Sequence, residues 1–160
     1  MHANGHYGAA LLAYAPIGYR MVGNDPALAA LGGFVVVGLA TLPDIDLRLS
    51  GVPHRGPTHS LFFLGGVAWA LGAATNWLGL PTVSPLSGMP SVEFGVLIGL
   101  VGVGSHLLAD VITPAGLNVL WPLPLPTLSL SLTEAGNQVA NFGLLVIGIA
   151  ASGTALWLGV

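Results

Sequence analysis

Histidine and aspartate recur in this chain at spacings that suit a shared metal ion. His106 and Asp110 stand at i and i+4, which sets an imidazole and a carboxylate on one face of a helix. Asp44 and Asp46 close the run Leu42-Pro43-Asp44-Ile45-Asp46, near enough for both to serve one cation or for one to bridge two. Acids at a helix C-terminus oppose its dipole, and a cation offsets that conflict. In His54-Arg55-Gly56-Pro57-Thr58-His59-Ser60, two imidazoles flank an arginine, and Gly-Pro leads into a helix start with Thr58 as its N-cap. Backbone N–H groups at that start, beside Arg55, make an anion pocket in which Arg55 clamps a phosphate or carboxylate. His6 opens the first apolar stretch of the chain.

There is no cysteine, so a disulfide framework, a thiolate zinc site and a cysteine nucleophile are excluded. Nitrogen and oxygen donors suit zinc, manganese, iron or magnesium, and the several histidines favour zinc or manganese. The candidate ligands His6, Asp44, Asp46, His54, His59, His106 and Asp110 exceed the three or four that one catalytic zinc uses, so one or two ions are expected. The chain has no G-x-S-x-G elbow, P-loop, H-E-x-x-H or dinucleotide fingerprint, which removes the usual support for serine-hydrolase, nucleotide and zincin chemistry.

What positions these residues is a membrane. Six acids and three arginines are the whole of the charge on 160 residues, where a soluble domain of this size carries about 40 charged side chains. With 54% hydrophobic residues and a mean hydropathy of +0.85, the chain reads as an all-α integral membrane protein, a single membrane-embedded domain over residues 1–160. A net charge of −3 without any basic cluster excludes nucleic acid as a partner; the expected partners are the lipid bilayer and an amphiphilic substrate. No basic n-region or small-residue cleavage site marks a secretory signal, so the chain is expected to be mature from Met1 onward.

A bilayer core about 30 Å thick takes roughly 20 apolar helical residues. That length parses five transmembrane helices in one bundle: Ala3 to Tyr19, Pro26 to Leu42, Thr58 to Leu80, Ser91 to Ile112 and Asn137 to Leu158. Small residues recur within them, as in Gly95 and Gly99 or Ala68 and Gly72, a spacing that lets helices approach closely in lipid. Between the fourth and fifth spans, Pro114, Pro122, Pro124 and Pro126 prevent continuous helix in a stretch too apolar for a free loop. An interfacial or re-entrant segment fits, with Trp121 at headgroup level.

Threading five spans alternately through the bilayer sends His6, Asp44, Asp46, His54, His59, His106 and Asp110 to one side, whereas Arg20, Asp25 and Glu93 fall on the other. Polar residues at helix ends ordinarily mark the water boundary, and that reading suffices for Arg20, Asp25, Glu93 and Glu134. It does not account for metal-binding residue types collecting on one face. Arg48 and Arg55 against Arg20 tilt that face toward the cytoplasm of the cell membrane.

In order along the chain, His6, L-P-D-I-D (Leu42 to Asp46), H-R-G-x-T-H-S (His54 to Ser60), H-L-x-x-D (His106 to Asp110), T-P-x-G (Thr113 to Gly116) and a following W-P resemble the membrane-bound, metal-dependent hydrolases of the YdjM type, the LexA-regulated inner-membrane proteins of bacteria. The resemblance implies a multi-helix membrane fold, hydrolase activity and a metal site at the seven His and Asp positions named above. Family members often carry an acid near the start of the last helix, a place taken here by Glu134 or the Asn137 region. The expected chemistry is hydrolysis at the bilayer surface by metal-activated water, on a phospholipid or other lipid phosphate. Asp46 or His54 would act as general base, and Arg55 would neutralise developing charge. The alternatives are a metal-ion or small-solute transporter built on the same cluster, which would normally hold its site near the midplane, and a structural membrane protein.

Overall fold

The computed structural model describes residues 1–83, 86 and 88–159, and among them the structure is helical. Its helices are α1 (Ala3–Val22), α2 (Pro26–Leu39), α3 (Leu61–Trp77), α4 (Ser91–Val111) and α5 (Gln138–Gly159). Short 3-10 turns at Pro43–Arg48 and Pro57–His59 link α2 to α3. The described residues form no strand, only the isolated bridges Val83 to Met89 and Leu117 to Leu128.

Local chemistry explains where the helices begin and end. Asp25 caps α2 by accepting from Leu28 N at 2.9 Å, with Pro26 in the first turn, where a missing N–H costs nothing. α2 stops at Leu39 rather than Leu42, because Pro43 has no N–H to offer the Leu39 carbonyl, which takes Leu42 N instead. The expected N-cap at Thr58 falls on Ser60, whose hydroxyl accepts from Phe63 N. Pro57–His59 is spent on a 3-10 turn, so α3 starts at Leu61.

Of these helices, α4 and α5 are both long and apolar enough to cross a membrane; α2 and α3 are apolar but shorter, with 14 and 17 residues. α1 has the length, but Asn4, His6, three tyrosines and Arg20 lower its hydropathy. α5 buries Asn141 and Gly148 against the rest and exposes Val139, Phe142, Ile147 and Trp157. A face so large and apolar cannot rest against water, and lipid is its natural solvent.

α4 is the central helix, packed on α1, α2 and α3. The two small-residue pairs singled out in the sequence meet across the α3–α4 contact. A Cβ on Gly99 would stand 2.6 Å from Ala68 Cα, and one on Gly95 2.6 Å from the Leu71 carbonyl oxygen. Such close approach brings α4 into register with α3, so that its C-terminal turn arrives beside the 3-10 turns. The proline-rich stretch is irregular, as expected, and lies across that end of α4: Leu130 N bonds to Val111 O and Leu132 N to Ile112 O.

Candidate metal centre

The last turns of α4 carry His106 and Asp110 inward, both fully buried. His106 Nδ1 lies 2.7 Å from the carbonyl oxygen of Ala40, just past the end of α2. A carbonyl only accepts, so Nδ1 holds the proton and Nε2 is left as a lone pair.

The two 3-10 turns supply the other side. His59 Nδ1 lies 3.0 Å from Thr58 Oγ1 and 3.2 Å from Asp46 Oδ2, while the Thr58 hydroxyl itself donates to Asp46 Oδ2 at 2.9 Å. With the Thr58 proton committed to Asp46, His59 must be the donor at Nδ1, and its Nε2 is likewise a lone pair. These two Nε2 atoms face each other at 3.1 Å.

Carboxylate oxygens close around that point. Asp44 Oδ1 is 3.5 Å from His59 Nε2 and 3.7 Å from His106 Nε2; Asp110 Oδ2 is 3.6 Å from each. Ligands at about 2.0 to 2.1 Å in a tetrahedron stand about 3.3 to 3.4 Å apart, so the spacing suits a zinc-sized ion. Two lone pairs at 3.1 Å also require a cation or a proton between them.

Two further groupings extend the cluster. His6, on α1, is fully buried and stacks on His106 with ring centroids 3.8 Å apart. Its Nε2 lies 3.1 Å from the Met1 carbonyl oxygen and 3.7 Å from Asp110 Oδ1, and its Nδ1 is buried with no hydrogen-bond partner. His6, Asp44 and His106 have ligand atoms within 4.8 Å of one another, as do Asp44, His54 and His59. The α-amino group of Met1 also contacts Asp110 Oδ1.

Asp46 and Arg55 sit differently from what their sequence neighbours imply. Asp46 belongs to none of the three ligand groupings. Its Oδ1 accepts from His54 Nδ1 at 3.0 Å, and its Oδ2 from Thr58 and from Arg55 N at 3.2 Å. Burial opposes its ionisation, but the hydrogen bonds from His54 and Thr58 outweigh it and hold the carboxyl below the ordinary range. In a 3-10 turn, with three residues to the turn, Asp44 and Asp46 project to different sides, so one carboxylate faces the centre and the other backs the histidines.

Arg55 does not open onto an anion pocket. Its guanidinium donates to Thr113 Oγ1 at 3.3 Å, Gly116 O at 3.0 Å and Asp110 Oδ1 at 3.2 Å. These bonds hold it in the left-handed region at φ 61°. Gly116, at φ 57°, has room for no side chain, since a Cβ there would meet Ser129 Cβ at 2.8 Å. At the start of α3, Leu61 N bonds to Val119 O and Phe63 N to Ser60 Oγ, so neither is left for an anion. His54, by contrast, leaves 43% of its side chain exposed, with Nδ1 engaged by Asp46.

The sequence reading also missed the Ala40 carbonyl, the Thr58 hydroxyl as a partner of Asp46, and the Met1 backbone atoms at Asp110 and His6. Main-chain groups leave no residue-type signal. Glu134 and Asn137 take no part in the cluster; Asn137 instead accepts from Ala140 N at the start of α5.

Apolar helices joined at one end by a buried cluster of imidazoles and carboxylates define a helical membrane protein with a potential metal centre. The chain belongs to the YdjM inner membrane protein family, whose model matches residues 1–159. It is similar to the inner membrane protein YdjM of Escherichia coli (strain K12) and to that of Shigella flexneri, each 37% identical over 95 residues. These alignments cover 56% of this chain and 41% of each relative, so the matched part is less than half the length of those proteins. No solved structure matches the chain.

Proposed function

We propose that this protein is a membrane-embedded, metal-dependent hydrolase whose centre lies at one face of a five-span bundle formed by the single domain 1–160. The observation that carries the reading is the convergence of two imidazole lone pairs, His59 Nε2 and His106 Nε2, 3.1 Å apart, with an oxygen of Asp44 and an oxygen of Asp110 each 3.5 to 3.7 Å from both. Two nitrogens and two oxygens suit zinc or manganese. The buried, unpartnered His6 Nδ1 and the grouping of His6 with Asp44 and His106 favour a second ion, which these residues would hold beside the first.

A divalent ion at such a centre supplies Lewis acidity and brings the pKa of water toward neutrality. The chain's own residues do the rest. Ala40 O and Asp46 hold His106 and His59 in the tautomer that presents Nε2. Asp46 also anchors His54 through Nδ1, and this half-exposed imidazole would serve as the general base through its other nitrogen. Arg55 acts through Asp110, whose carboxylate it holds, and is a positioning residue. Arg48 and Arg55 at this end against Arg20 at the other favour the cytoplasmic face for it.

The test is elemental analysis of the purified full chain beside His59→Ala and Asp110→Ala, with metal-dependent hydrolysis of a chromogenic phosphodiester measured on the same samples. Zinc or manganese at one or two ions per chain, lost in both variants together with the hydrolysis, is the expected result. Full metal occupancy in both variants would overturn the site. Bound metal with metal flux in liposomes and no hydrolysis would replace the enzyme with a transporter.

A further inference from the structure

A cleft of about 450 Å³ opens beside the metal centre, between the first turns of α1, the end of α2 and the Pro43–Arg48 turn. Its chemistry is divided. Leu42, Ile45 and Leu47 form an apolar wall, and Ile45 and Leu47 are exposed. Opposite in character are Arg48, exposed, and Asp44, which lines the cleft while its Oδ1 reaches His59 and His106.

The three arginines have different duties. Arg20 is in the last turn of α1, at the opposite end of that helix from His6, and Arg55 is bound to Asp110, Thr113 and Gly116. Arg48 makes no hydrogen bond or ion pair among the described residues and borders the cleft. The charged side chains lining the cleft are Asp44 and Arg48, and an ion held by Asp44 would offset its charge and leave the Arg48 guanidinium. A guanidinium on one side and a metal centre on the other form a receptor for a phosphate. Ile45 and Leu47 on this turn and Leu49 just after it are exposed apolar side chains, so the mouth of the cleft adjoins a surface suited to acyl chains.

We propose that this cleft binds the phosphate head of a membrane amphiphile, with the phosphate between Arg48 and the Asp44 edge of the centre and the acyl chains along Leu42, Ile45 and Leu47. The proposal rests on the metal-centre reading for one half of the phosphate's partners. Its volume falls within the range of small-molecule sites and exceeds what a bare phosphate fills, leaving space for a glyceryl backbone. Gly38 gives an independent handle on it: this residue lines the cleft, and a Cβ there meets nothing within 4 Å. A side chain at position 38 therefore starts into open space at the cleft.

The test uses the zinc-loaded full chain in detergent and a fluorescent phosphatidic acid analogue with a non-hydrolysable phosphonate head. Arg48→Ala and Gly38→Leu are each expected to weaken equilibrium binding about tenfold or more, the scale of a charge-assisted hydrogen bond, and Arg48→Lys to recover part of the loss. Zinc content is expected to be equal in all variants. Competition by glycerol 3-phosphate should need far higher concentrations than competition by phosphatidic acid, and diacylglycerol should compete poorly. Unchanged binding in both Arg48→Ala and Gly38→Leu, with zinc present, would overturn the cleft while leaving the metal centre standing. Glycerol 3-phosphate competing as well as the lipid would overturn the amphiphile and assign the site to free phosphates. Binding that depends on Arg48 and Gly38 in a protein that retains no metal would support the cleft and refute the centre.

Discussion

His106 donates its Nδ1–H to the Ala40 carbonyl oxygen across 2.7 Å, and that bond decides which nitrogen faces the centre. Ala40 lies 66 positions earlier, at the end of a different helix. Packing α2 on α4 therefore fixes a tautomer, and the fold reaches into the chemistry through a main-chain atom. Asp46 and Thr58 do the same for His59.

If Asp46 orients rather than ligates, Asp46→Asn should keep the metal stoichiometry but weaken its affinity, by about 10- to 100-fold, as expected for loss of a carboxylate behind a ligating histidine. Competition against a chelator of known affinity measures this. Loss of an entire ion from the saturated protein would make Asp46 a ligand instead.

Arg55→Lys should behave almost like Arg55→Ala. The three acceptors Thr113 Oγ1, Gly116 O and Asp110 Oδ1 are reached by a planar fork, which an ammonium cannot reproduce. Each variant is expected to cost about 1.5 to 3 kcal/mol, read as a lower unfolding temperature in detergent. A lysine variant as stable as the wild type would show that charge alone is sufficient at this position.

Two glycines on one helix should respond in opposite ways. Gly99→Ala places a Cβ 2.6 Å from Ala68 Cα and should destabilise by about 1 to 3 kcal/mol, the usual cost of overpacking. Gly104→Ala meets nothing within 4 Å and should be neutral or stabilising, by up to about 1 kcal/mol. Thermal unfolding of the two variants checks the α3–α4 contact; equal behaviour would contradict it.

His106 and Asp110 were legible because a helix turns their i, i+4 spacing directly into proximity, and the shared end of His6, Asp44 and His59 followed from counting helices. The Asp44–Asp46 pair was ambiguous, since residues two apart share a face in a strand and diverge in a 3-10 turn, and nothing in Leu-Pro-Asp-Ile-Asp announces which forms. Arg55 misled for a related reason: its partners Thr113 and Gly116 lie about 60 positions away, so an arginine next to Gly-Pro reads as free when it is tied to the far end of α4. The apolar helices were readable from composition. Their exact ends were not, because Ser60 and Thr58 are equally good caps until Pro57–His59 forms its turn.

The central claim is that His59 and His106 ligate one ion together with Asp44 and Asp110. Zinc K-edge X-ray absorption of the zinc-loaded protein addresses it most directly. The expected spectrum has a nitrogen and oxygen shell at about 2.0 to 2.1 Å with the multiple-scattering signature of two or more imidazoles, reduced by one in His106→Ala. A spectrum without imidazole scattering, or one that His106→Ala leaves unchanged, would contradict the claim.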